Sequence, residues 1–425
     1  MEKFVSAPLP DVELTDNIRN ILSQLDASTL DVDKAVAMPP AVYTSEEWFE
    51  FEKRAVWDRE WICLGHHGSI PKVGDYVSIT INDDPFIVQR GEDKEVHVMS
   101  AVCQHRGYQL VNDNGNAKFF TCPFHGWSYD MTGKLVNAPE MDAHATLAEL
   151  QKNFCLPRVR TEVWNGFIFI NLSGDAAPLA PRCKRLAQEL EPHHLADMGA
   201  TQTVDWGPEP WNWKFMHENA IEPHHTWYLH KGPHDFAPSR LVSFAEWDPQ
   251  DDGAIYHPTG FVYLDGNFTA AFRCLFPIIE TLTDKERQRV MFACILPNLF
   301  FGAVPDGCFY YCILPGGANY MTIRVGFLYP HSTLRMKNFD IVFPHVTSGL
   351  SIYNDQDTVA NRAVHRGLKS RFANRGRYAP KEATLPQFNR WLISRYRAYA
   401  AELEAKAAGN GTRERQQAPR QESAA

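Results

Sequence analysis

The sequence predicts an α+β chain: a small all-β unit, then a larger unit whose antiparallel sheet is covered by helices. Three observations predict it. Between about 61 and 172, short β-rich runs alternate with turn signals. From 255 to 330 a second series of strand-sized apolar runs follows. Two long amphipathic stretches, 348–372 and 386–407, come last. A length of 425 residues suits two domains better than one.

Composition narrows the class. The net charge of −9 argues against a broad basic face for nucleic acid. The apolar fraction of 44% is that of an ordinary globular protein. No apolar run nears the ~20 residues of a membrane span. The longest, Met291–Leu296 and Gly166–Leu172, are strand-sized. The N-terminus has neither the basic region nor the apolar core of a signal peptide. Nine cysteines, odd in number and scattered, fit a reducing, cytoplasmic setting better than a disulfide scaffold. In that setting, closely spaced Cys and His point to metal or catalysis.

The elements follow in order. Residues 1–44 read as a helical lead-in, with Ile18, Ile21, Leu22 and Leu25 at helical spacing and Pro39-Pro40 near its end. Ser45 opens a helix running through Phe49, Phe51, Val56 and Trp57. Val77–Ile81, Pro85–Gln89, Val96–Val102 and Trp164–Leu172 (a strongly apolar strand after Asn165-Gly166) read as strands, which makes 45–175 the all-β domain. Gly174, Pro178 and Pro181 suit a linker, followed by a helical stretch, Pro181–Leu195. The larger domain, 176–408, takes strands at Phe261–Leu264, Phe268–Phe272, Arg289–Ile295, Phe309–Ile313 and Met321–Leu328. Gly409 ends the last helix, and 409–425 reads as a disordered tail.

Two constellations carry chemistry. Cys103-Gln104-His105 and Cys122-Pro123-Phe124-His125 place two thiols and two imidazoles in two short loops. Such a set suits tetrahedral structural zinc or a [2Fe–2S] centre of Rieske type, with two Cys on one iron and two His on the other. The flanks, Cys103-Gln104-His105-Arg106-Gly107 and Cys122-Pro123-Phe124-His125-Gly126-Trp127, resemble the two ligand loops of the Rieske family. On that resemblance Cys103, His105, Cys122 and His125 hold the cluster, and Gly107 and Gly126 let backbone N–H groups approach its sulfurs.

The second constellation runs from Asn212-Trp213-Lys214 to His230 and is dense in acids and imidazoles. Two His and one carboxylate on one side of an iron leave positions open for oxygen and substrate. Asn212-Trp213-Lys214, then Glu218-Asn219, then Glu222-x2-His225-x4-His230, resembles the catalytic domain of Rieske non-haem iron oxygenase α subunits. The resemblance covers roughly residues 45–400 and implies a helix-grip-like catalytic domain. It implies His225 and His230 as ligands of a mononuclear Fe(II), with Glu222 as a bridging carboxylate and Asn219 beside it. The third ligand comes from a late helix. Asp357, ten residues before Gly367, matches that position, whereas Asp355 is expected to be solvated. Two departures stand out. His224 replaces the usual Tyr before the first ligand, so a one-residue register shift competes with His225. His365 stands where Gln is common. Gln356 and Asn361 read as ordinary helix-surface residues, and His217 and His234 as surface or packing residues.

The resemblance implies O2 chemistry fed by electrons from outside the chain. No Gly-x-Gly-x-x-Gly and no ferredoxin Cys pattern is present. A separate NAD(P)H-dependent reductase, with or without a ferredoxin, is therefore expected. So is a homotrimer with electron transfer between subunits, with room for a β subunit. Cys308 and Cys312 read as buried strand thiols. A bridging Glu and the run Leu385–Trp391 resemble the choline, glycine-betaine and carnitine branch, whose relatives include aromatic-ring oxygenases. An aromatic substrate is the expectation, because no acidic residue is obviously placed for a cation; a quaternary ammonium compound is the alternative. Phe261, Tyr263, Phe272, Phe276, Phe301, Phe309 and Tyr310 are the candidate pocket residues. The non-enzymatic alternative is a Rieske electron-transfer protein.

Overall fold

The computed structural model describes residues 4–417, with side chains through 408. The α+β class is what it contains. A seven-stranded antiparallel sheet runs in the order Gly199–Ala200, Tyr320–Tyr329, Gly307–Gly317, Leu299–Val304, Arg289–Ile295, Ala254–Gly260, with Val204–Glu209 also pairing with Tyr320–Tyr329. Three smaller sheets precede it in the chain. One has four strands, Val96–Ser100, Asp84–Arg90, Asp75–Ile81 and Gly115–Asn116; two have three strands each.

Both faces of the large sheet are buried, and the two-residue period of a strand divides them. Met291, Ala293, Phe301, Ala303, Cys308, Tyr310 and Cys312 face a small sheet that contributes Cys63, Phe167 and Phe169. Val290, Cys294, Phe300, Phe309, Tyr311 and Ile313 face helices Phe339–Leu368 and Thr384–Gln417, which contribute Leu350, Tyr353, Phe388 and Trp391. Cys308 and Cys312 are the buried strand thiols the sequence suggests, at 2% and 0% exposure.

Several local expectations change. The strand expected after Asn165-Gly166 is present as Phe167–Asn171, but Trp164 belongs to its hairpin partner, Arg160–Trp164, and the turn between them is Asn165 (φ 47°) and Gly166 (φ 81°). Left-handed Asn-Gly is the pair such two-residue turns select. Phe261–Leu264 and Phe268–Phe272 are not strands. Asp265 and Phe272 adopt positive φ, and the segment folds into turns over the sheet, with Phe261 and Phe268 buried and Tyr263 and Phe272 partly so. Pro192 breaks Pro181–Leu195 into a helix, Lys184–Leu190, flanked by 3-10 turns. The last helix passes through Gly409 and Gly411 to Gln417, each glycine costing only about 1 kcal/mol. The remainder of the tail, 418–425, lies outside the described residues. The lead-in rests on this last helix, where Arg390 Nε donates to the Thr29 carbonyl at 2.7 Å.

Helix Lys214–Ile221 is held by charge. Lys214 Nζ donates to both oxygens of Glu52 at 2.8 Å, and both side chains are 0% exposed. Trp213 Nε1 and the Tyr396 hydroxyl donate to the same carboxylate. Burial pulls Lys214 toward losing its proton, and Glu52 opposes it. On the same helix, burial pushes Glu218 up to about 7, against the Tyr43 hydroxyl that donates to it at 2.6 Å.

Two predictions arise here. Lys214→Met strands a buried carboxylate and should cost about 3–5 kcal/mol in denaturant unfolding. Adding Glu52→Gln should recover part of that, since an amide oxygen still accepts from Trp213 without a charge. Glu218, raised from 4.5 to about 7, stabilises the fold below pH 4.5 and loses that contribution as pH rises through 7. Glu218→Gln should therefore gain on the wild type in unfolding midpoint between about pH 5 and about pH 8; an unchanged gap would refute the shift.

Candidate metal centres and substrate cavity

The two Cys/His loops are copies of one another. Cys103 N–H donates to Tyr108 O and Gly107 N–H to Cys103 O, at 2.8 and 3.0 Å. Cys122 N–H donates to Trp127 O and Gly126 N–H to Cys122 O, at 2.8 and 2.9 Å. Gly107 and Gly126 share φ 75°, which is what requires glycine. Their own N–H groups close the loops onto the Cys carbonyls.

The loops bring all four predicted residues to one place. The His105 and His125 rings lie 4.6 Å apart, and His105 stacks on Trp127 at 4.9 Å. Both thiols are 2% exposed, whereas His125 is open to solvent. The Tyr129 hydroxyl sits 3.4 Å from Cys103 Sγ and accepts from Gln104 N–H at 3.0 Å. Burial, then the Cys103 hydrogen bond, raises the Tyr129 phenol above its ordinary value. Burial, then the neighbouring His125, lowers His105. His105 Nδ1 is buried without a hydrogen-bond partner. An orphaned imidazole nitrogen beside two sheltered thiols is a donor set that suits an S2N2 cluster.

The second constellation also converges. Helix Lys214–Ile221 stops where Pro223 forbids another turn, and the chain enters a 3-10 turn, His225–Trp227. Glu222 folds back on that turn. Its Oε1 accepts from His225 Nδ1 at 2.8 Å and its Oε2 accepts from His225 N–H at 3.1 Å. Asp357 Oδ1 lies 3.0 Å from His230 Nε2 and 3.7 Å from His225 Nε2, and one donor atom from each residue falls within 4.8 Å of the others. Asn219 Nδ2 donates to Asp357 Oδ1 at 3.1 Å. For His225, burial lowers the affinity for a proton, but the hydrogen bond and charge of Glu222 raise it further.

The register question has a geometric answer: His224 offers its backbone N–H to Glu222 and its ring lies by Tyr228, away from the triad. Asp355 is exposed, as expected. Gln356 is not a surface residue: its Oε1 accepts from His230 Nδ1 at 2.7 Å. Asn361 is buried too, at 6% exposure. Both imidazoles thus spend Nδ1 on an acceptor and turn Nε2 toward Asp357, the arrangement that suits a metal ion. His217 is a packing residue, 2.9 Å from Cys294 Sγ. His365 contacts Asn319 at 3.1 Å and Phe215, so its departure touches a helix contact rather than the cavity.

A cavity of about 610 Å³, including its mouth, opens beside the triad. Its wall holds Phe268, Phe292, Phe300, Phe309, Tyr311 and Tyr353. Of the seven candidates only Phe309 lines it. Phe301 and Tyr310 face the opposite side of the sheet, one residue out of phase. Phe292, Phe300 and Tyr311 were accessible in principle through that phase, had one lining residue been known. His234 also lines the cavity, stacked on His230 at 6.0 Å. Burial lowers it to about 3.

Comparison with known proteins agrees with this geometry. The Rieske [2Fe-2S] domain matches residues 60–154, and the ring hydroxylating alpha subunit catalytic domain matches 192–398. The carnitine monooxygenase oxygenase subunit of Acinetobacter pittii is 27% identical over 358 residues, 80% of this chain and 87% of that one. The benzene 1,2-dioxygenase subunit alpha of Pseudomonas putida is 35% identical over 199 residues, 45% of this chain and 44% of that one. Among solved structures, a naphthalene 1,2-dioxygenase from Rhodococcus sp. bound to indole aligns with TM-score 0.72 at 21% identity, covering 90% and 99% of the two chains. A quaternary ammonium Rieske monooxygenase with L-carnitine aligns with TM-score 0.69 at 20% identity, covering 92% and 99%. With a Rieske [2Fe-2S] domain placed before a ring-hydroxylating catalytic domain, the chain belongs to the Rieske non-haem iron oxygenases as an alpha subunit.

Proposed function

We propose that this subunit hydroxylates an aromatic substrate with O2, using electrons from a separate NAD(P)H-dependent reductase, directly or through a ferredoxin. The observation that carries the aromatic reading is the cavity wall. Six aromatic side chains surround it, and its two carboxylates, Glu222 and Asp357, are both engaged by the triad. A flat ring stacks against such a wall. A quaternary ammonium ion would be held there by cation–π contact, with no free carboxylate among the described lining residues to balance it. That second reading is favoured by the carnitine monooxygenase relatives.

In this reading Cys103, His105, Cys122 and His125 hold a [2Fe–2S] cluster, and His225, His230 and Asp357 hold a mononuclear iron. Those groups supply electron transfer and O2 activation. The chain's own residues do the positioning. Glu222 and Gln356 fix the two imidazoles with Nδ1 protonated, and Asn219 orients Asp357. The aromatic wall holds the ring beside the metal position and keeps water out. The homotrimer is supported by two exposed regions. His125 and Phe124 (52% exposed) surround the cluster loops, and Trp227 (58%) and Tyr228 (72%) flank the Glu222 turn. Such surfaces suit a contact in which one subunit's cluster meets the next subunit's Glu222. A cytoplasmic setting is supported by nine free cysteines. Among the described residues, no helix is long and apolar enough to cross a membrane.

The central test is substrate-stimulated O2 uptake with a generic reductase, across arenes and quaternary ammonium compounds. Coupled product from choline or carnitine but from no arene would overturn the aromatic reading. Asp357→Ala should lose the mononuclear iron and keep the cluster's visible absorption; full iron content would sink that ligand assignment. Gln356→Leu should weaken iron binding about 10–100-fold through the freed His230 ring. Glu222→Gln should keep both metals yet lose most turnover, and near-normal coupled turnover would remove it from the bridge role.

A further inference from the structure

We propose that His257 selects the substrate: its Nε2–H hydrogen-bonds an acceptor atom on the ring, so the enzyme prefers an arene bearing a carbonyl-type substituent over a plain hydrocarbon. This rests on the aromatic reading above.

His257 lies on strand Ala254–Gly260, 2% exposed, and lines the cavity beside Phe292, whose ring is 5.6 Å away. Its Nε2 is buried and has no hydrogen-bond partner. Its Nδ1 lies 3.2 Å from Thr259 Oγ1. Thr259 is 1% exposed, and among the described residues its hydroxyl has no other hydrogen-bond partner. A buried hydroxyl proton needs an acceptor, and the Nδ1 lone pair is the one at hand. That assignment places the imidazole hydrogen on Nε2, the atom left unpaired. Burial holds His257 near 4, so the ring is neutral at physiological pH. The Ile221 carbonyl lies near enough to the ring to pull the other way, and is the protein acceptor that a substrate must displace. The site therefore offers one neutral donor rather than a charge.

Several other polar groups on the wall are occupied. Thr226 donates to Pro223 O at 2.8 Å, Tyr353 to Pro233 O at 2.7 Å, and Tyr311 to Asn354 Oδ1 at 3.0 Å. His234 Nδ1 is likewise buried without a partner, but its ring packs on His230 beside the metal position. Away from the metal position, His257 is left as a donor in an aromatic wall, which is how a cavity discriminates ligands by one acceptor atom.

Acetophenone and ethylbenzene differ by one carbonyl oxygen and make the test. Anaerobic calorimetric binding to the holoenzyme, alongside kcat/KM from coupled O2 uptake, should favour acetophenone by about tenfold or more. His257→Phe should bring the two ligands to near parity by weakening acetophenone alone, with iron content and cluster spectrum unchanged. His257→Gln, whose amide still donates, should keep part of the preference. Parity already in the wild type, or an equal loss for both ligands in His257→Phe, would overturn the proposal. If neither arene binds while choline does, the aromatic reading fails and takes this one with it; arene binding without discrimination overturns only the role of His257.

Discussion

A charge pair sealed from water sets the position of the catalytic helix. Lys214 and Glu52 can stay ionised at 0% exposure only if every lone pair and proton finds a partner. Trp213, Tyr396 and the pair itself supply them, drawing together segments near 52, 214 and 396. Helix Lys214–Ile221 has no freedom to slide once that network forms. Asn219 and Glu222, one and two turns further on, inherit their places from it. The Asn212-Trp213-Lys214 signature is thus an anchor for the site, several residues removed from the chemistry.

Orientation then passes outward from that anchor through single hydrogen bonds. Glu222 fixes His225, Gln356 fixes His230, and Asn219 fixes Asp357. Each bond leaves the partner atom that matters, an Nε2 or a carboxylate oxygen, directed to a common point. The two imidazoles are supported unequally. A carboxylate strengthens His225 as a base, whereas a neutral amide serves His230. The cluster loops solve the same problem differently, with two matched turns and left-handed glycines in place of long-range supports.

The aromatic cavity owes its existence to the sheet's second buried face. A sheet with one solvated face would have given Phe300, Phe309 and Tyr311 to water. Here helix Phe339–Leu368 roofs them, and that same helix delivers Tyr353, Asn354 and Asp357 on one side. One element thereby closes the substrate space and supplies the third ligand. The turns of 261–272, expected as strands, complete the cover and bring Phe268 to the wall.

What the sequence determined by itself was the local geometry. The spacing Cys103-x-His105, Cys122-x2-His125 and Glu222-x2-His225-x4-His230 each lies within a single loop or turn, where chain connectivity alone brings the groups together. The continuous apolar runs at Arg289–Ile295 and Phe309–Ile313 likewise marked strands. Resemblance, rather than spacing, supplied Asp357. Only the tertiary structure decided what crosses long stretches of chain. Gln356 meets His230 across 126 residues, and Lys214 meets Glu52 across 162. Which phase of each strand faces the cavity, and hence Phe300 over Phe301 and Tyr311 over Tyr310, depends on which layer packs on which side. A strand buried on both faces carries apolar residues at every position, so its pattern cannot say which of them a substrate would touch.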